Sequence, residues 1–216
     1  MFRVTAMLLI FTTLLTTIST IGWVDSNGSN YSNVRNGPKF TPSGELQRPT
    51  GFRRWIFIGS PITPNALNGG AAVFPEFHNV YVEPSVFDFY LRHQRWPEGT
   101  ILVKELQLAR PGSFRDGSRE EASGRGYFPG AANGLDVSVK DARRFPDTKG
   151  WGFFNFGHHA PPYESTATEA SIAACAGCHI SSAHEDMVFS DFYEQLRPEH
   201  DATELPDQPT RIPGND

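Results

Sequence analysis

Thr100-Ile101-Leu102-Val103-Lys104-Glu105-Leu106-Gln107-Leu108-Ala109 reads as a β-strand, and the fold is built outward from it. Strand side chains alternate between faces, so Leu102, Lys104, Leu106 and Leu108 share one side. A lysine in a leucine row is the anomaly of this stretch, because an unpaired ammonium there would lose its hydration. Two readings follow. Either the stem lies along the apolar surface and the amine snorkels to water, or the amine is used chemically, as a nucleophile or in a covalent bond.

Other strands flank this one. Arg53 to Ile58 and His78 to Glu83 are rich in aromatic and β-branched residues. Gly134 to Lys140 alternates Leu135, Val137 and Val139 with Asp136 and Ser138, and Trp151 to Phe156 is a further aromatic strand. Pro84 stands at a plausible first helical position ahead of Val86, Phe87, Phe89, Tyr90 and Leu91. A helix is expected from Thr168 onward. Another is expected from Glu185 to Leu196, where Val188, Phe189, Phe192 and Leu196 recur at helical spacing. Strands first and helices last predict an α+β fold: a mostly antiparallel β-sheet with a few flanking helices.

The whole chain of 216 residues suits one domain, and its 20 Gly and 17 Pro favour strands and turns over long helices. A net charge of −5 argues against nucleic acid or an anionic membrane as the main partner. Residues 1–22 read as a signal peptide: Arg3 precedes an apolar run from Met7 to Ile21 that is short for a membrane span. Cleavage would follow the small residues Thr20 and Gly22; an uncleaved anchor is the competing reading. The exported protein would face an oxidising compartment, the periplasm. Residues 23–50, rich in Ser, Asn, Gly and Pro, read as a polar linker or loosely ordered arm. Residues 51–197 form the folded domain, and 198–216 a flexible polar tail.

The only two cysteines fall three apart with a histidine next to the second: Cys175-Ala-Gly-Cys178-His179. Two thiols one helical turn apart can add to the vinyl groups of haem, while the adjacent His179 ligates the iron. A disulfide would leave His179 unexplained. A thioredoxin-type pair needs a βαβ setting that is absent from the pattern. A zinc site would have to recruit His158 and His159, which are adjacent and poorly disposed to share one metal. The motif therefore predicts one covalently attached haem c on a late helix. Beyond the signal the only methionine is Met187, eight residues after His179 and badly placed to reach the opposite face of the iron. The distal position is expected to be open.

Around this motif stands an ordered set: Thr63-Pro64-Asn65 with Leu67-Asn68, Val80-Tyr81, Glu98-Gly99-Thr100, Val103-Lys104-Glu105-Leu106, and Gly134 to Asp141. Arg144-Phe145, Gly150-Trp151, Asp186-Met187-Val188-Phe189 and Phe192-Tyr193 complete it. With these residues the chain, from about 45 to 197, resembles the cytochrome P-460 family. The resemblance implies a periplasmic, homodimeric, mostly antiparallel cytochrome that oxidises hydroxylamine to nitrous oxide through an iron-nitrosyl, passing electrons to a separate redox partner. It implies an extra bond from Lys104 nitrogen to a meso carbon of the porphyrin, which would account for a lysine on a leucine face. It places the proton-accepting carboxylate at Asp136, where the family usually has Glu. Asp is one methylene shorter and would reach the ligand through a water. Phe74 matches an aromatic packed over the distal face. His78 stands where relatives can carry Arg, making the charge there pH-dependent. The rival is a nitric-oxide-binding protein like cytochrome c′-beta, with the same sheet but no cross-link. Lys104 and Asp136 favour the enzyme.

Overall fold

The computed structural model describes residues 34–183 and 186–197. The signal segment 1–22, the arm as far as residue 33 and the tail from residue 198 lie outside the described residues. The chain runs through β1 (Leu46–Gln47), β2 (Ile56–Gly59), β3 (Phe77–Val82), α1 (Pro84–His93) and β4 (Ile101–Ala109). It continues through β5 (Arg119–Glu121), β6 (Gly124–Gly126), β7 (Pro129–Lys140), β8 (Trp151–Asn155), β9 (Thr166–Ala167) and α2 (Gly177–Ser182). Five strands make the main sheet in the order β2-β3-β4-β7-β8, with every neighbour antiparallel. The α+β reading holds: a mostly antiparallel sheet flanked by two α-helices.

β4 lies at the centre of this sheet, between β3 and β7. Ile101, Leu102 and Val103 are all buried in succession, because both sheet faces are covered. On one side Ile101 and Val103 join Leu135, Val137, Val139, Phe145 and Phe154. On the other, Leu102 joins Val80, Val82, Trp151, Phe153 and Ala176. α1 starts at Pro84, and the Glu83 carboxylate caps it by accepting from the backbone N–H of Ser85 at 2.8 Å and of Val86 at 3.3 Å. Such a cap contributes about 1 kcal/mol.

Several expectations need correction. Residues 34–50 are not a loose arm. Leu46 is fully buried, β1 pairs with β9, and Asn36 donates to the Glu83 carboxylate at 3.1 Å. Composition misled because a few anchors (Leu46, Phe40, Val34) carry the packing of a polar stretch. The strand expected from Arg53 begins only at Ile56, since Phe52–Arg54 form a 3-10 turn that delivers the Arg53 guanidinium to the buried Glu105. The helix expected from Thr168 begins at Ile172, as a π-helical turn over Ile172–Ala176 that leads into α2.

The helix expected over Glu185 to Leu196 does not form among the described residues. Two 3-10 turns, Ser190–Phe192 and Glu194–Leu196, stand in its place. Asp186 and Met187 both have left-handed backbones, with φ of 49° and 63°. That conformation breaks an α-helix, and tertiary bonds to Asp186, described below, hold it there.

Candidate haem site

The sheet face opposite β1 presents cross-strand rows of side chains that order the site. His78, Leu106 and Gly134 are in register in one row. Val80, Lys104, Asp136 and Asn155 form the next. Val82, Leu102, Ser138 and Phe153 form the third, and Lys140 with Trp151 a fourth. Neighbouring rows stand about 7 Å apart, two residues along a strand.

The Cys175–His179 segment packs on the third row. Cys175 lies in the π-helical turn, Cys178 and His179 in α2. Both thiols are free, so the pair is not a disulfide. The half-buried His179 ring sits 4.5 Å from Phe153 and 5.0 Å from Phe189, centroid to centroid. Its Nδ1–H donates to the Met187 carbonyl at 2.7 Å. That bond fixes the tautomer and leaves Nε2 bare, as an axial ligand requires. Burial, followed by the Lys104 charge, holds the imidazole below its ordinary pKa despite the Met187 bond, so the neutral, ligating form dominates at pH 7. The Cys175 thiol is pushed up, mainly by burial and then by Asp136.

The Met187 carbonyl is itself held in place. Asp186 accepts from Trp151 Nε1 at 3.1 Å through one oxygen and pairs with Lys140 Nζ through the other. Fourth-row residues thus clamp the left-handed Asp186-Met187 pair and aim its carbonyl at His179. Met187 is turned into the core and buried.

One row beyond the imidazole, Lys104 and Asp136 face each other in register, Nζ to Oδ2 at 3.0 Å. Their side chains are 28% and 20% exposed, so Lys104 neither snorkels freely nor lies unpaired. The same amine sits 4.1 Å from the centroid of the Phe74 ring, a cation–π contact of about 1 kcal/mol. Asn155 Nδ2 donates to the other Asp136 oxygen at 2.7 Å. Phe74 meets His78 edge-on at 5.9 Å, and its carbonyl accepts from His78 Nε2 at 3.1 Å. Lys104, Asp136, Phe74 and His78, distant in sequence, therefore converge on one patch. Burial first, then the Lys104 charge, lowers the His78 pKa, which shifts its pH-dependent charge further toward the neutral form.

Glu76, which the sequence did not single out, and His158, weighed there only beside His159 as a zinc donor, join the patch. His158 donates from Nε2 to the buried Glu76 at 2.8 Å, and Asn133 donates to the same Glu76 oxygen at 2.8 Å. Burial raises the Glu76 pKa, but these bonds outweigh it and hold the carboxyl below its ordinary value. Glu76 lies two residues before His78, so strand parity gave a signal for it; His158 lies 82 positions away from Glu76, and nothing local pointed to their pairing. His159 turns aside to Glu164. Among the described residues no three His, Cys, Asp or Glu side chains gather as metal donors, which leaves the zinc reading without a ligand set.

The family model described as cytochrome P-460 matches residues 49–190. The chain belongs to the cytochrome P-460 family. No curated protein matches the chain significantly. Cytochromes P-460 bind haem c, and the residues here fit that group: two free thiols a turn apart, a neutral imidazole with Nε2 bare, and an apolar wall of Val80, Val82 and Phe153. Cys175 and Cys178 would hold it covalently and His179 axially.

Proposed function

We propose that this cytochrome P-460 is exported to the periplasm and oxidises hydroxylamine to nitrous oxide. The observation that carries the reading is the Lys104–Asp136 pair, 3.0 Å apart and one row beyond His179 on the same sheet face. Two hydroxylamines give one nitrous oxide and one water with the loss of four protons and four electrons, so the site needs a base. Haem c, when bound, supplies a redox-active iron with an open position for a nitrogen ligand.

The chain's own groups supply the rest. Asp136 accepts a proton at Oδ2, the oxygen that faces Lys104, while Asn155 holds the other oxygen and fixes the carboxylate plane. Phe74 packs against the Lys104 amine and shields one side of it. Electrons leave to a separate redox carrier. Lys104 Nζ is the atom for a further bond to the macrocycle. Such a bond to bound haem would replace one Lys104 N–H and one ring C–H by C–N, and would release two protons and two electrons to an oxidant.

The test is hydroxylamine consumption by haem-loaded protein with an artificial electron acceptor, with nitrous oxide measured in the headspace. The reading expects two hydroxylamines consumed per nitrous oxide. It also expects Asp136→Asn to lower kcat about 100-fold, the scale of a lost general base. Nitric oxide binding without hydroxylamine turnover would overturn it in favour of a cytochrome c′-beta-like role.

A further inference from the structure

Four protons must leave the site for each nitrous oxide, and Asp136 can hold one at a time. Among the described residues, Glu76–His158 is an acid–base unit on the same patch with an outlet to solvent. Glu76 is 2% exposed and His158 is 42% exposed, with Oε1 and Nε2 2.8 Å apart. His158 is seated by packing as well as by that bond. Its ring is 6.0 Å from Phe74, and its Cδ2 lies 3.3 Å from where a Cβ on Gly134 would stand. Gly134 is two residues from Asp136 on the same face of β7, and its lack of a side chain leaves His158 room over the strand. Phe74 touches His158 and the Lys104 amine alike, so one ring joins the two pairs.

We infer that His158 is the second proton station of this pocket, oriented by Glu76, taking protons from Asp136 and releasing them to bulk water. Because Nε2 donates to Glu76, Nδ1 carries the lone pair, and a proton passes from the Asp136 carboxyl across a water to Nδ1. Glu76, 2.8 Å away, balances the imidazolium until Nδ1 gives the proton to solvent. No electron moves in this step. The groups facing His158 are Glu76 and Phe74 from the segment before β3 and Gly134 from β7, while Asn133 shares the Glu76 oxygen. His78 in the row of Gly134, and Lys104 and Asp136 in the next row, are the nearby titratable groups. Glu76 is a positioning residue, for it reaches the ligand only through His158.

The inference rests on haem filling the site, and its test avoids hydroxylamine. Hydrogen cyanide binds ferric haem as the anion, so its association rate depends on a base that removes its proton. Stopped-flow rates would be measured from pH 5 to 9 on haem-loaded wild type, His158→Gln and Glu76→Gln. We expect His158→Gln to slow association about tenfold and to erase one inflection of the pH profile. Glu76→Gln keeps an acceptor but removes the charge that balances the imidazolium, so association should slow there too. An unchanged rate and profile in His158→Gln overturns the relay, even if the wild type oxidises hydroxylamine. Slowed cyanide binding in His158→Gln supports it, even if hydroxylamine is left untouched.

Discussion

Asp186→Ala tests the clamp behind the proximal histidine. The substitution removes the acceptor of the Trp151 indole N–H, and Trp151 is fully buried. An indole N–H left unsatisfied costs about 1–3 kcal/mol. The partner of Lys140 goes as well; that amine is 13% exposed, so water replaces the pair poorly, at a further cost of about 1 kcal/mol. Alanine also tolerates the φ of 49° less well than aspartate, by about 1 kcal/mol. The sum is about 3–5 kcal/mol. Asp186→Asn keeps an oxygen for Trp151 and suits the left-handed backbone, so it should cost only about 1 kcal/mol. Urea denaturation of haem-loaded protein reads both variants, and the haem absorption spectrum shows whether His179 still ligates. The order wild type, Asn, Ala is expected, with the Ala variant also losing the Met187 carbonyl that orients His179. A loss below about 1 kcal/mol in Asp186→Ala would refute the clamp.

Leu46→Ala should cost about 2–5 kcal/mol by emptying a fully buried site, as thermal unfolding would record; a loss under 1 kcal/mol would mean that the 34–50 segment is not part of the core. His78 has a folded pKa below its unfolded value of about 6.5, so the unfolded chain binds the proton first. The contribution of His78 is therefore fully present above about pH 6.5 and declines as pH falls through that value toward the folded pKa. His78→Gln should flatten the fall in denaturation midpoint between pH 7.5 and 5.5, and an unaltered slope would contradict the assignment.

The strands were legible because alternation is local: Leu135, Val137 and Val139 betray β7 without reference to any neighbour. So was the Cys175–His179 motif, whose spacing sits within five residues. Lys104 was recognisable as odd, but its partner was not. The opposition of Lys104 to Asp136 depends on register across a long connection that holds the unforeseen β5–β6 hairpin. The last helix misled for the converse reason. Val188, Phe189, Phe192 and Leu196 keep helical spacing, yet bonds from Trp151 and Lys140 hold Asp186 in a conformation that no helix accommodates. Helix propensity over so short a stretch is weak, and tertiary contacts decide. Glu76–His158 was hidden because neither residue belongs to a motif and only the folded sheet brings them together.

We propose that Lys104 and the Cys175–His179 segment grip one haem. Protein from a host competent in cytochrome maturation would be digested with an endoprotease that leaves haem bonds intact, and the haem-bearing fragment weighed. The expected product is a single fragment joining the Lys104 strand to the Cys175–Cys178 peptide through haem, lighter by two hydrogens than its parts. A haem fragment containing Cys175 and Cys178 without the Lys104 strand would contradict it.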